Sequence, residues 1–289
     1  MKLTEAKLAY QPKTRNNKLV SLEVLLRPYN CSNVEEFVKS YKSPIKLDCK
    51  VLEMTYSDMI NANLIYPVSI NVSYFSLTDT NFIRNAIALF RGFDITFELT
   101  EHYNVENLDK LKKNIGILQC NGFNVSLDDF GKGFSSVKLL TQIDFNEVKI
   151  DKSIVSNIDN DFYSYKHLVF LSEKIKTLGV NNIVYEGIER KTQLNLIKLF
   201  DNNAIIQGYY HSYPLALECI IKNRYSVEKM AVSLRRTTVL EEIEKKIFKM
   251  IISEGKDEIN SEIKDIDTML EVYDSNYENT ILNFKQIYY

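Results

Sequence analysis

Four carboxylates and an amide stand at the downstream ends of successive strand-like runs. Leu19-Val20-Ser21-Leu22 leads into Glu23, Val68-Ser69-Ile70 into Asn71, Ile95-Thr96-Phe97 into Glu98, and Phe123 to Leu127 into the pair Asp128-Asp129. Hard divalent cations take several oxygen ligands, and one site rarely draws them all from consecutive residues. Parallel strands solve the problem by delivering a ligand from each strand tip onto a common rim. Acidic residues also cap strands and open turns, which accounts for any one position alone. Five positions in register with strand ends point instead to a metal-binding rim. The spacing continues downstream, where Asn146-Glu147-Val148 leads to Lys149, Ile183-Val184-Tyr185 to Glu186, and Ala204-Ile205-Ile206 to Gln207.

The elements that must position these groups follow from the same periodicity. With a first strand through Leu8-Ala9-Tyr10, eight β-like segments are present, most of them separated by stretches of helical period: Val105 to Gln119, Asp159 to Leu178 and Thr192 to Phe200. Strands alternating with helices imply a parallel sheet, and eight such units in about 210 residues imply a closed (β/α)8 barrel. The 289-residue chain has 45% hydrophobic and 26% charged residues, an ordinary globular composition. A net charge of −2 argues against general affinity for a nucleic acid polymer. Cys31, Cys49, Cys120 and Cys219 lie far apart without CxxC spacing, which disfavours thiol-bound zinc and a disulfide framework. No apolar run approaches membrane-spanning length and no signal region opens the chain. The expectation is a soluble, cytoplasmic protein that engages no membrane.

Several motifs then become recognisable in order. Tyr10-Gln11-Pro12, Glu23-Val24-Leu25-Leu26-Arg27, Asn71-Val72-Ser73, Glu98-Leu99-Thr100-Glu101 and Asp128-Asp129-Phe130-Gly131-Lys132-Gly133-Phe134-Ser135-Ser136 resemble the signatures of EAL-domain cyclic di-GMP phosphodiesterases. So do Lys149-Ile150-Asp151, Glu186-Gly187-Ile188-Glu189 and Gln207-Gly208-Tyr209. The resemblance covers roughly residues 7 to 216. It implies a modified (β/α)8 barrel whose first strand runs against the others, and hydrolysis of cyclic di-GMP to linear pGpG. It further implies that Glu23, Asn71, Glu98 and Asp128 hold one metal, and that Asp128 bridges to a second held with Asp129 and Glu186. Two divalent cations about 3.5–4 Å apart can activate water and stabilise both oxygens of an in-line displacement. The resemblance implies Mg²⁺ or Mn²⁺ as the cofactors; Ca²⁺, which takes longer and more numerous contacts, is expected to inhibit. Lys149 and Glu186 carry the catalytic roles in this comparison, the first orienting water or offsetting phosphate charge. Gln11, Leu26, Arg27, Glu189 and Tyr209 match positions that contact substrate, and an arginine can fork onto a phosphate. Gly131 and Gly133 punctuate a loop that, as the resemblance implies, closes over the metals and bears on dimer contacts, with Glu101 anchoring it and Gln207 in support.

The chain departs from the family pattern at several points. Val24 replaces an alanine, Lys132 a threonine in the loop, Ser76 a glutamine that contacts substrate, and Tyr213 a basic residue before Pro214. The stretch from Tyr29 to Asp48 is compressed. No GGDEF motif is present and no sensory domain is expected upstream of the barrel, so regulation is expected through expression, oligomerisation or the C-terminal segment. The domain reading is a barrel over residues 1–218 and a helical extension over 219–289. Leu240, Ile243, Ile247 and Ile251 mark one amphipathic helix, and Ile259, Ile263, Ile266, Leu270, Tyr273, Tyr277 and Ile281 a second. Residues 222–249 carry eight basic against four acidic residues, and 250–289 three against nine, which suits an antiparallel pair. Its stripes would pack within the chain, on a second subunit to form a homodimer, or on a protein partner. Two rival readings stand beside the enzyme: a cyclic di-GMP receptor without useful turnover, and an interaction protein that signals through its tail.

Overall fold

The computed structural model describes residues 6–29, 31, 33–100, 106–132 and 135–222. The expected tail helices lie outside the described residues, as do Glu101 and Gly133. Eight strands form a closed barrel in sequence order: β1 (Ala6–Arg15), β2 (Lys18–Pro28), β3 (Val68–Val72), β4 (Ile95–Leu99), β5 (Asn124–Phe130), β6 (Glu147–Ile150), β7 (Asn182–Tyr185) and β8 (Ile205–Ile206). β1 is antiparallel to both its neighbours, β2 and β8, and all other pairings are parallel. A two-residue hairpin makes the reversal. Asn16 and Asn17 both adopt positive φ (50° and 61°), a conformation asparagine tolerates and tight hairpins require. The ring closes where Thr14 pairs with Ile206 and where Tyr10 bridges to Leu215.

Strands buried on both faces read as apolar runs, and Val68, Ile70, Val72, Ile95, Phe97, Val125 and Leu127 are all buried. Ten helices flank the described barrel: α1 (Val34–Ser40), α2 (Pro44–Asn61), α3 (Tyr74–Thr78), α4 (Thr80–Leu89), α5 (Leu108–Cys120), α6 (Ser135–Leu140), α7 (Lys152–Val155), α8 (Phe162–Thr177), α9 (Lys191–Phe200) and α10 (Leu217–Lys222). Asn33, Ser73, Asp79, Asn107, Asp151 and Asp161 each accept a backbone N–H at a helix start, satisfying donors the helix leaves free. The sequence reading placed no helix between Tyr29 and Asp48, yet α1 and the start of α2 lie there. Pro44 opens α2 in the first turn, where its missing N–H costs nothing, and Leu47, Val51, Leu52, Thr55 and Met59 bury one face. Among the described residues no helix is long and apolar enough to cross a membrane.

The exit from β8 is held close to the segment after β7. Gly208 has φ 158°, and a Cβ there would stand 2.2 Å from the Ile188 carbonyl oxygen, so the approach needs glycine. Nearby, His211 is 5% exposed and shares a small cavity with Thr14, Lys198 and Asp201. Burial, with the Lys198 ammonium adding repulsion, holds its imidazole down at about 4. The neutral form is therefore favoured by folding. No penalty arises above the unfolded value near 6.5, and stability is lost as pH falls from there toward 4. His211→Phe removes that linkage. Between pH 7 and pH 5 the variant should gain about 2 kcal/mol on the parent in urea melts. Parallel loss of stability in both proteins would show that His211 does not titrate against folding.

Candidate active site

The carboxylates of the strand tips converge on one ammonium. Lys149 on β6 is 1% exposed, and its Nζ lies 2.8 Å from Glu98 Oε2, 2.8 Å from Glu186 Oε1, 3.0 Å from Asp128 Oδ1 and 3.2 Å from Glu23 Oε2. Asn71, paired across β3 and β4 with Glu98, donates to Glu23 Oε1 at 2.7 Å. Gln207 donates to Glu23 Oε2 at 2.5 Å and to Gln11 Oε1 at 3.3 Å, and Gln11 in turn donates to the Ser212 carbonyl. All eight strands thus contribute to one rim, with Glu186 and Gln207 standing just beyond β7 and β8. Asn71, Glu98 and Lys149 are the penultimate residues of their strands rather than the residues just beyond them, and Glu23 and Asp128 lie further inside β2 and β5.

Asp128 and Asp129 raise a geometric problem, because consecutive strand residues point to opposite faces. A bulge resolves it. Leu127 pairs with Val148 and Phe130 with Ile150, so the register slips between them and Asp129 takes φ 57°. Bulges re-aim side chains in this way beside active sites. Oxygens of Asp128, Asp129 and Glu186 then all lie within 4.8 Å of one another. Burial pushes Asp128 well above the ordinary carboxylate range; Lys149 opposes this, and Glu186, Glu98 and Glu23 add repulsion. Burial likewise raises Glu186, again against Lys149. Three converging oxygen donors whose mutual repulsion is incompletely offset fit a hard divalent cation. Gln207 Oε1, buried without a hydrogen-bond partner, leaves a further acceptor beside Glu23. Glu23, Asn71 and Glu98 stand around Lys149, next to that trio.

Beneath the rim lies a group the sequence reading missed. Lys13 on β1 is wholly buried and donates to Glu98 Oε1 at 2.5 Å, Glu147 Oε1 at 2.8 Å and Ser69 Oγ at 3.0 Å. Both oxygens of Glu98 are thereby engaged by ammonium groups, from Lys13 and Lys149. Burial alone would raise Glu98, but the two cations overcome it and hold the carboxyl at about 2. The available signal was the alternation of β1. Lys13 lies two residues from Gln11, on the same inward face.

Beside the rim opens a cavity of about 380 Å³, lined by Glu23, Leu26, Arg27, Asn71, Asp128 and Asp129 and walled by Val34, Val38, Leu47 and Val51 of α1 and α2. Arg27 donates to the Leu26 carbonyl. Lys132 spans Asp129 Oδ1 at 2.7 Å and Asp151 Oδ2 at 2.9 Å. Gly131 has φ 104°, and a Cβ there would stand 2.9 Å from Ile154. Ser76, expected from the family pattern at a substrate-contacting position, is instead fully buried and donates to Asp48 Oδ2 at 2.6 Å. Ser73 also donates to that oxygen, through its N–H and its hydroxyl. Gln11, Glu189 and Tyr209, all expected to contact substrate, are not among the residues that line the cavity. Glu189 is exposed with its N–H given to Gln193, and Tyr209 is exposed with its ring 4.3 Å from that of Tyr213.

Comparison with known proteins places this arrangement. The oxygen sensor protein DosP of Escherichia coli is 35% identical over 130 residues, which cover 44% of this chain and 16% of DosP. The probable cyclic di-GMP phosphodiesterase PdeG of the same organism is 32% identical over 144 residues, covering 49% of this chain and 28% of PdeG. The chain therefore spans well under a third of the length of either relative. Among solved structures, an EAL domain protein from Listeria monocytogenes superposes with TM-score 0.67 at 24% identity, covering 77% of this chain and 93% of that one. The EAL enzyme Bd1971, bound to cAMP and cyclic di-GMP, superposes with TM-score 0.68 at 23% identity, covering 76% and 65%. These likenesses establish a shared fold. The EAL domain model matches residues 1–214, and the chain belongs to the EAL domain family.

Proposed function

We propose that the chain is a metal-dependent phosphodiesterase that hydrolyses cyclic di-GMP to linear pGpG. The observation that carries this reading is the convergence of Glu23, Asn71, Glu98, Asp128, Asp129 and Glu186 around Lys149, beside a cavity that holds Arg27. Family membership supports it, as does the likeness to PdeG. Asp128, Asp129 and Glu186 would hold one divalent cation, and Glu23, Asn71 and Glu98 with Asp128 a second. Mg²⁺ and Mn²⁺ both suit such oxygen donors. When bound, divalent cations supply acidified water and neutralise charge on phosphoryl oxygens.

The remaining work falls to the chain itself. The Lys149 ammonium, ringed by carboxylates and fixed by four contacts, is preorganised to offset negative charge as a phosphodiester is attacked. Glu186, held against Lys149 at the rim, would take a proton from the attacking water through a carboxylate oxygen not given to the cation. Arg27 offers a planar fork to a non-reacting phosphate, and the apolar walls from α1 and α2 offer a desolvated surface to a purine.

The test is incubation of the full chain with cyclic di-GMP and Mg²⁺ or Mn²⁺, followed by chromatography. The expected result is pGpG with either cation, none with chelator, and little with Ca²⁺. Glu23→Ala should abolish the product while leaving the circular dichroism spectrum unchanged. Intact cyclic di-GMP in both Mg²⁺ and Mn²⁺ would refute the assignment.

A further inference from the structure

Lys132 has a place at the acidic cluster that the hydrolytic mechanism does not use. Its Nζ lies 2.7 Å from Asp129 Oδ1, and Asp129 is also one of the three residues whose oxygens converge within 4.8 Å. The carboxylate of Asp129 is thus shared between the cluster and a cation tethered three residues along the chain. The short reach is set by the backbone. Asp129 takes the left-handed conformation, Gly131 follows with φ 104°, and the Lys132 N–H donates to the Asp129 carbonyl at 3.3 Å. The turn brings the lysine stem back over the carboxylate.

The ammonium has a second seat. Asp151, the N-cap of α7, accepts from the Ser153 N–H at 2.9 Å and from Lys132 through its other oxygen at 2.9 Å. Asp151 is 3% exposed and already holds the ammonium of Lys132, whose side chain is 46% exposed. Lys132 can therefore leave Asp129 without giving up its charge to solvent. A divalent cation that takes an Asp129 oxygen meets an ammonium already on that carboxylate, and like charges at this separation repel.

We infer that Lys132 is a tethered competitor for Asp129, one that lowers the affinity of the Asp128–Asp129–Glu186 cluster for divalent cations, with Asp151 as the seat it retreats to. The inference rests on the proposed metal site. Lys132 acts through Asp129 and is a positioning residue, not one that touches the reacting atoms. Two opposite effects follow. Without Lys132 the cation meets no competitor and binds more tightly. Without the Asp151 charge the ammonium is left to Asp129 alone, and the cation binds more weakly.

Mn²⁺ binding to the full chain without nucleotide, read by electron paramagnetic resonance, tests both. Lys132→Ala should tighten Mn²⁺ binding at the Asp128–Asp129–Glu186 cluster by about fivefold, the size of one partly exposed ion pair. Asp151→Asn should weaken it, and should have no effect in the Lys132→Ala background, because the two act as one unit. Lys39→Ala, which removes another cation from the cavity wall, should leave the affinity unchanged and so exclude a general charge effect. Unchanged or weaker binding in Lys132→Ala overturns the inference, as does tighter binding in Asp151→Asn or equal tightening in Lys39→Ala. Asp128→Asn separates this failure from that of the site. If it abolishes Mn²⁺ binding while Lys132→Ala has no effect, only the role of Lys132 is lost. Absence of any Mn²⁺ binding that depends on Asp128 overturns both.

Discussion

Lys149→Met is expected to lower cyclic di-GMP turnover by about 10²–10³-fold, the scale on which removing a preorganised donor acts. Methionine keeps the length of the stem and discards the charge. Four carboxylates that now share one ammonium, those of Glu23, Glu98, Asp128 and Glu186, would then repel one another in a buried site. Part of that repulsion is relieved by divalent cations, so the variant should melt early without metal and recover with Mg²⁺. Turnover should stay low after recovery, because the ammonium proposed to offset charge on the phosphodiester is gone. The loss should fall on kcat more than on KM, as expected for an interaction strengthened in the transition state. A folded variant that turns over near the parent rate would remove Lys149 from the mechanism.

The largest effect on stability is expected at Lys13. Lys13→Met leaves Glu147 and one oxygen of Glu98 without their cation and Ser69 without its donor, all in the barrel interior. Breaking a buried ion pair by deleting one partner costs about 3–5 kcal/mol, since the remaining charge stays desolvated. Urea denaturation measures it. Adding Glu147→Gln to Lys13→Met should return part of the loss, with a coupling of about 0.5–3 kcal/mol expected for residues in contact. A single variant as stable as the parent would mean that Lys13 contributes packing alone.

Much of the site was legible because a barrel converts a one-dimensional pattern into a ring. Once strands were recognised by their apolar runs, Glu23, Asn71, Glu98, Asp128, Lys149, Glu186 and Gln207 had to share one end, and the structure gathers them there. The helices expected over Val105–Gln119, Asp159–Leu178 and Thr192–Phe200 appear as α5, α8 and α9, with ends shifted by the capping residues Asn107 and Asp161. Other features are not written in periodicity. A lysine inside a strand reads as a solvated charge unless its partners are known, and Glu98 and Glu147 lie far from Lys13 in the chain. The bulge at Asp128–Asp129 depends on the register of β5 against β6, which no local pattern reveals. Helix α1 and the first turn of α2 fall in the Tyr29–Asp48 stretch that was read only as compressed, and the rest of α2 was not assigned although its apolar positions were present. The bond from Ser76 to Asp48, 28 residues away, is likewise a tertiary contact that no local pattern carries.

The seam between β1 and β8 bears on the order in which this molecule can assemble. Thr14 and Ile206 are 192 residues apart, and the Tyr10–Leu215 bridge beside them joins equally remote parts of the chain. Contacts of such separation pay a large loop-closure entropy before they return anything, so they slow folding and form late. Until then the ring is an open sheet with two bare edges, the form of sheet most prone to pair with another chain. The rim inherits that schedule. Gln11 and Lys13 come from β1 and Gln207 from the end of β8, so the hydrogen bonds that fix Glu23 and Glu98 are completed only as the seam shuts. Closure of the barrel and completion of its rim are therefore expected together, and a β1–β8 seam variant should slow both in refolding experiments.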